Sequence, residues 1–110
     1  MAWSIRYYNE AVQQRIERWP VGIRAVYARI TERMVWFGPH LGQPFTRGLG
    51  QGLFELRAKG REGLGRAFFG TVVGQEIVIL HAFIKKTGKT PLKELEIARR
   101  RWQEVRHEES

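Results

Sequence analysis

At 110 residues, with 19 Lys and Arg against 11 acidic residues and a formal charge of +8, the chain has room for one core and suits polyanionic partners: nucleic acid, an anionic membrane surface or an acidic protein. It contains no Asp and no Cys, which excludes a paired-aspartate site, thiolate catalysis, disulfides and Cys-based zinc sites. No apolar run nears the roughly 18 residues of a membrane span, and MAWSIRYYNE holds no signal-peptide core, so a soluble, cytoplasmic protein is expected.

Trp3, Ile5 and Tyr7 alternate with Ser4, Arg6 and Tyr8, the pattern of a short strand with one buried face. Asn9 offers an N-cap, and Val12, Ile16 and Trp19 follow at helical spacing until Pro20, before which a helix must stop. A second amphipathic helix is read from Ile23, Val26, Tyr27, Ile30, Met34 and Trp36 or Phe37, with Arg24, Arg29, Glu32 and Arg33 outside. GPHLGQPFTRGLGQG, residues 38 to 52, reads as a crossover loop, because five glycines and two prolines leave no periodic segment intact. Its GLGQG lacks a following Lys-Ser/Thr and precedes a strand, so it is not read as a phosphate loop.

Strands are expected at residues 53 to 57 (LFELR), 66 to 73 (RAFFGTVV) and 76 to 86 (EIVILHAFIKK), each rich in β-branched or aromatic residues. AKGREGLG, residues 58 to 65, reads as a longer loop, and Gly74-Gln75 as a two-residue hairpin turn. Thr90 caps a final helix with Pro91 at its first position and Leu92, Leu95, Ala98, Trp102 and Val105 along its apolar face. The expected class is α+β in one domain over residues 1 to 110: strand, helical hairpin, three-stranded antiparallel meander, C-terminal helix. The four tryptophans are read as core.

Charge is concentrated in the second half. Arg57, Lys59, Arg61, Arg66, Lys85, Lys86 and Lys89 face only Glu62 and Glu76 between residues 57 and 89. Strand alternation puts Arg66 on the face of Phe68, and Lys85 on the face of Ile79, His81 and Phe83. Hairpin pairing then gathers Arg57, Arg66, Lys85 and Lys86 at one end of the sheet, a cluster with no acidic member. Such lysines also suit a solvated edge that guards against strand pairing. A buried arginine favours the alternative, an anion site, and planar Arg with point-charge Lys suits a phosphodiester. Lys59, Arg61 and Lys89 are the flanking candidates for RNA contact. Glu55 alternates onto the face of Arg57 as an ion-pair partner. His81, on the strand leading to the lysines, is either an acid/base or a hydrogen-bonded core histidine. His40 and His107 are too scattered to complete a zinc site with it.

LFELR, the arginine opening RAFF, IVILHAFIKKTGKTP and the helix ending ARRRWQE resemble the HigB-like, phage-derived branch of the RelE/ParE toxin superfamily. The resemblance implies a type II toxin: an endoribonuclease that uses neither metal nor cofactor and cleaves mRNA in the ribosomal A site. It implies neutralisation by an antitoxin, usually a helix-turn-helix protein, through which the complex binds operator DNA. It places Arg66 on the scissile phosphate, Lys85 and Lys86 at the end of the last strand, and Arg57 in the family's LR element. The tyrosine that RelE-type members carry in the last helix has no counterpart in PLKELEIA, which leaves the general base unassigned. A ParE-like gyrase inhibitor and a non-catalytic basic nucleic-acid binder are the alternatives.

Overall fold

The computed structural model describes residues 2 to 85 and 91 to 109; Lys86, Lys89 and the expected cap Thr90 lie outside the described residues. In chain order the elements are β1 (Ser4–Tyr7), α1 (Glu10–Glu17), α2 (Val21–Phe37), β2 (Thr46–Gly50), β3 (Leu53–Gly60), β4 (Gly63–Val72), β5 (Glu76–Lys85) and α3 (Leu92–Glu109). The strands form one mixed sheet in the order β1-β5-β4-β3-β2, with β1 parallel to β5 and the other neighbours antiparallel. The α+β class and the element order therefore match expectation, with one strand more than the sequence showed.

Local chemistry explains the helical hairpin. The Asn9 side chain accepts a hydrogen bond from the Val12 amide at 2.9 Å, capping α1. At the start of α2, Pro20 supplies no side-chain cap. Glu62 does so from the β3–β4 turn, accepting from the amides of Gly22 and Ile23 at 2.9 and 3.1 Å. Those bonds hold the carboxyl below its usual range, and the carboxylate sits favourably at a helix N-terminus.

Three expectations about connections change. Residues 58 to 65 are no loop: β3 and β4 pair out to Gly60 and Gly63, leaving Arg61-Glu62 as the turn. Their glycines misled because they serve packing. A Cβ on Gly60 would lie 2.6 Å from the Ile23 nitrogen, and one on Gly65 2.7 Å from the Trp19 ring. Residues 46 to 50, expected as loop, form edge strand β2, whose register shifts between Gly48 and Gly50. Glycine is tolerated in a short, bulged edge strand. The β4–β5 turn has three residues, Val73 to Gln75, between the paired Val72 and Glu76.

The sheet is covered on both sides. Leu56, Ala58, Ala67, Phe69, Ile77, Ile79 and Ala82 pack with Val12, Ile16, Ile23, Tyr27, Ile30 and Met34 of α1 and α2. On the other face, Leu53, Phe68, Val78, Leu80 and Phe83 pack with Ala98, Trp102 and Val105 of α3. A bulge between Phe68 and Phe69 separates Ile79 from His81, so the expected shared face of Ile79, His81 and Phe83 is broken. Trp36 is a second correction: it is 68% exposed, because two residue steps from buried Met34 turn it roughly 200° around the helix. Leu92, expected on the apolar face of α3, is exposed, and the helix begins after Pro91.

Candidate functional site

The α3 face of the sheet changes character along its strands. Trp102, in the second half of α3, lies so close to Gly70 that a Cβ there would come within 2.4 Å of its ring. Further along is a rung on which Arg47 pairs with Glu55, Glu55 with Phe68, and Phe68 with His81. The next rung holds Arg57, Arg66 and Phe83, and the one after it Lys59, Leu64 and Lys85. Directly opposed residues share a face of an antiparallel sheet, so five cations occupy three successive rungs on one side.

Arg57 and Arg66 oppose each other, a repulsive arrangement unless an anion intervenes. That anion is Glu55, fully buried two residues before Arg57. Its Oε2 lies 2.8 Å from Nη2 of Arg66, while its Oε1 accepts from Nε of Arg47 at 2.9 Å and lies 3.5 Å from Nη1 of Arg57. The expected cluster without an acidic member is thus corrected: a carboxylate stands at its centre. Glu55 is the ion-pair partner expected from the sequence, but for three arginines instead of one.

Burial differs sharply within the cluster. Arg66 is only 1% exposed, whereas the side chains of Arg57 and Arg47 are 31% and 39% exposed. Arg66 and Glu55 form the buried foundation, and the other two guanidiniums lean from it toward solvent. Burial lowers the Arg66 pKa from its usual value, Glu55 opposes the shift, and Arg57 and Arg47 reinforce it. Lys85 is also lowered, first by lost solvation and then by the fields of Arg66 and Arg57. One carboxylate cannot neutralise this many cations, so the partly open end of the face is positively charged.

His81 is buried, and its Nε2 lies 2.7 Å from Oε1 of Glu94 in the first turn of α3. Desolvation lowers its pKa, the Glu94 bond pulls the other way, and Arg101 and Arg15 add to the lowering. The imidazole therefore joins α3 to the sheet on the rung of Glu55. Among the flanking candidates, Lys59 lies exposed on the Lys85 rung. Arg61 instead sits at the turn beside Glu62, and the structure does not bring it into the cluster. Lys86 and Lys89 lie outside the described residues.

Sequence reasoning missed Arg47 and Glu94. Arg47 lay in the presumed loop, and only its pairing with Glu55 reveals its position. The arginines of α3 also bind back to the body of the protein. Arg101 donates to the Leu80 carbonyl at 2.8 Å and stacks over Tyr8, and Arg99 donates to the Leu49 carbonyl at 3.2 Å. Trp102 and Arg106 both donate to the Gln51 carbonyl, so the GLGQG turn is held by α3 through an acceptor.

Among the described residues, no helix is long and apolar enough to cross a membrane. No curated protein matches the chain. A family model does match residues 14 to 103, a span that takes in the second half of α1, all of α2, the whole β2–β5 meander and most of α3, and with it the Glu55 cluster: the chain belongs to the family described as Phage derived protein Gp49-like (DUF891).

Proposed function

We propose that this protein is the toxin of a type II toxin-antitoxin pair, a metal-independent endoribonuclease that cuts mRNA in the ribosomal A site and is held in check by a helix-turn-helix antitoxin. The observation that carries the reading is the convergence of Arg47, Arg57 and Arg66 on the single buried carboxylate of Glu55, with Lys85 one rung beyond Arg66. Membership of a phage-derived family supports it.

The chemistry follows from the charges. In-line attack by a ribose 2′-oxygen forms a bond to phosphorus and breaks the bond to the 5′-oxygen, through a phosphorane with additional negative charge. Arg57 and Arg47 would hold the phosphate in two-pronged fashion, with Arg66 fixed beneath them by Glu55. Preorganised cations aimed at that charge supply several kcal/mol in a water-poor site. Lys85, one rung beyond Arg66, would add its charge beside the phosphate, the 2′-hydroxyl proton would pass to solvent, and the 5′-oxygen would acquire one on leaving. His81 would then serve by positioning, because its ring nitrogen is engaged with Glu94.

The test is cleavage of a message on programmed ribosomes by purified protein, against naked message and with excess chelator. We expect cutting on the ribosome that survives EDTA, and little on free RNA, since the ribosome would orient the substrate. Equal cutting of both, or loss on EDTA with recovery on Mg²⁺, overturns the mechanism. The second reading, a nucleic-acid binder that does not cut, is favoured by the burial of His81 against Glu94 and predicts salt-sensitive binding with intact RNA.

A further inference from the structure

Beside its buried stripe α2 carries an apolar and basic surface whose floor, Val26 and Phe45, rests on the core and whose arginines the basic cluster does not use. The inner stripe, Ile23, Tyr27, Ile30 and Met34, is buried on the sheet. At the C-terminal end, Trp36 and Phe37 stand adjacent at 68% and 81% exposure. Two hollows run along this side. One of about 200 Å³ is lined by Val26, Arg29, Ile30, Arg33 and Phe45, and one of about 250 Å³ by Arg29, Glu32, Arg33, Trp36 and Phe37. They share Arg29 and Arg33, and the Arg33 guanidinium lies 5.7 Å from the Phe45 ring centroid.

We propose that this groove docks an acidic amphipathic helix of a partner protein, with apolar side chains seated between Val26, Phe45 and Phe37 and carboxylates on Arg29 and Arg33. Adjacent exposed aromatics beside arginines have the composition of an interface centre, which scattered surface apolar residues lack. The groove spans Val26 to Phe37, about 16 Å at the helical rise per residue, the length of three helical turns. Charge decides the occupant. A second copy would bring a +8 molecule against a +8 molecule, whereas an acidic helix neutralises both arginines and leaves Glu32 as the single like charge to avoid. Because α2 covers the sheet face opposite Glu55 and Arg66, a partner seated here leaves the basic cluster open.

Trp36 reports on its own occupancy. The full chain is titrated with a synthetic fifteen-residue helical peptide bearing Leu along one face and Glu along its flank, and with its twin carrying Lys for Glu. The acidic peptide is expected to blue-shift Trp36 emission and shield it from acrylamide, while the lysine twin does neither. By titration calorimetry, which needs no reporter side chain, Trp36→Ser with Phe37→Ser should weaken binding by at least about 10-fold, and Arg29→Glu with Arg33→Glu should transfer preference to the lysine peptide. Arg57→Ala should bind the peptide unchanged, which separates this surface from the nuclease reading. Absence of binding, equal binding of the twins, or variants that bind as well as the parent overturns the proposal. So does a dimer in sedimentation that Trp36→Ser dissolves, which gives the face to a second copy. A Trp36 shift on phosphatidylserine vesicles with none on the acidic peptide gives it to lipid and equally overturns it.

Discussion

The two faces of the sheet are built from the same three central strands and obey different physics. Toward α1 and α2, every buried strand residue from Leu56 to Ala82 is apolar, and stability there comes from excluded water and close packing. Toward α3, the apolar surface stops partway, and the space beyond is filled by one carboxylate and three guanidiniums. A dry face tolerates conservative exchange, whereas a buried ion cluster holds only while its charges are matched. The difference shows where function can reside: the second face carries groups whose requirements are not met by packing alone.

The largest effect should come from breaking that match. Glu55→Ala leaves Arg66 buried beside two other guanidiniums, and we expect a loss of about 3–5 kcal/mol in chemical denaturation. Leu56→Ala, its neighbour on the dry face, should cost about 2–5 kcal/mol through its cavity. The two variants separate in added phosphate: a bound anion can replace the missing carboxylate in the first and has nothing to replace in the second. If phosphate raises both melting temperatures equally, the cluster is not an anion site. Arg66→Ala shares the defect of orphaning a buried partner, so lost activity in it would be uninformative unless folding is checked.

Arg57→Ala is the cleaner catalytic probe, because that side chain is partly exposed and Glu55 keeps Arg66 and Arg47. Cleavage on ribosomes should fall by about 10²–10³, the scale of removing one preorganised donor, with the melting temperature nearly unchanged. Arg47→Ala should act in the same direction. Arg100→Ala, on an exposed part of α3, should leave the rate close to the parent, since a solvated cation adds only diffuse attraction. Parent-like cleavage by Arg57→Ala and Lys85→Ala, both folded, would return these residues to a charged sheet edge.

How much of this was legible depended on the period of each segment. LFELR, RAFF and IVILHAF announced strands because residues buried on both faces leave a dense apolar signature. Residues 58 to 65 did not, since glycines that admit Trp19 and Ile23 look like glycines that break strands, and residues 46 to 50 did not, since a short bulged edge strand tolerates glycine. Arg66 and Lys85 could be placed at one end from hairpin pairing alone. The Glu55 contact with Arg66 and the Arg47 contribution required exact register. The bulge at Phe68 that turns His81 toward Glu94 left no mark in composition.

His81 offers the smallest and finest test, a pH dependence confined to the charged face. Its folded pKa lies below the usual histidine value, chiefly through burial, so between the two values the unfolded chain binds a proton that the folded chain does not. The sign follows: this contribution to stability is fully present above about pH 6.5 and is lost as pH falls through the folded pKa, at no more than about 1.4 kcal/mol per pH unit. His81→Asn should flatten that part of the stability profile while leaving the acid limb due to carboxylates. Glu94→Gln sharpens the test, because Glu94 is the group that raises the His81 pKa against burial and the fields of Arg101 and Arg15. Its removal should push the folded pKa lower still and extend the sloping region toward acid. A Glu94→Gln profile whose slope ends at a higher pH than the parent's would show that the imidazole is not the buried, neutral group described, and would reopen it as an acid/base facing the substrate.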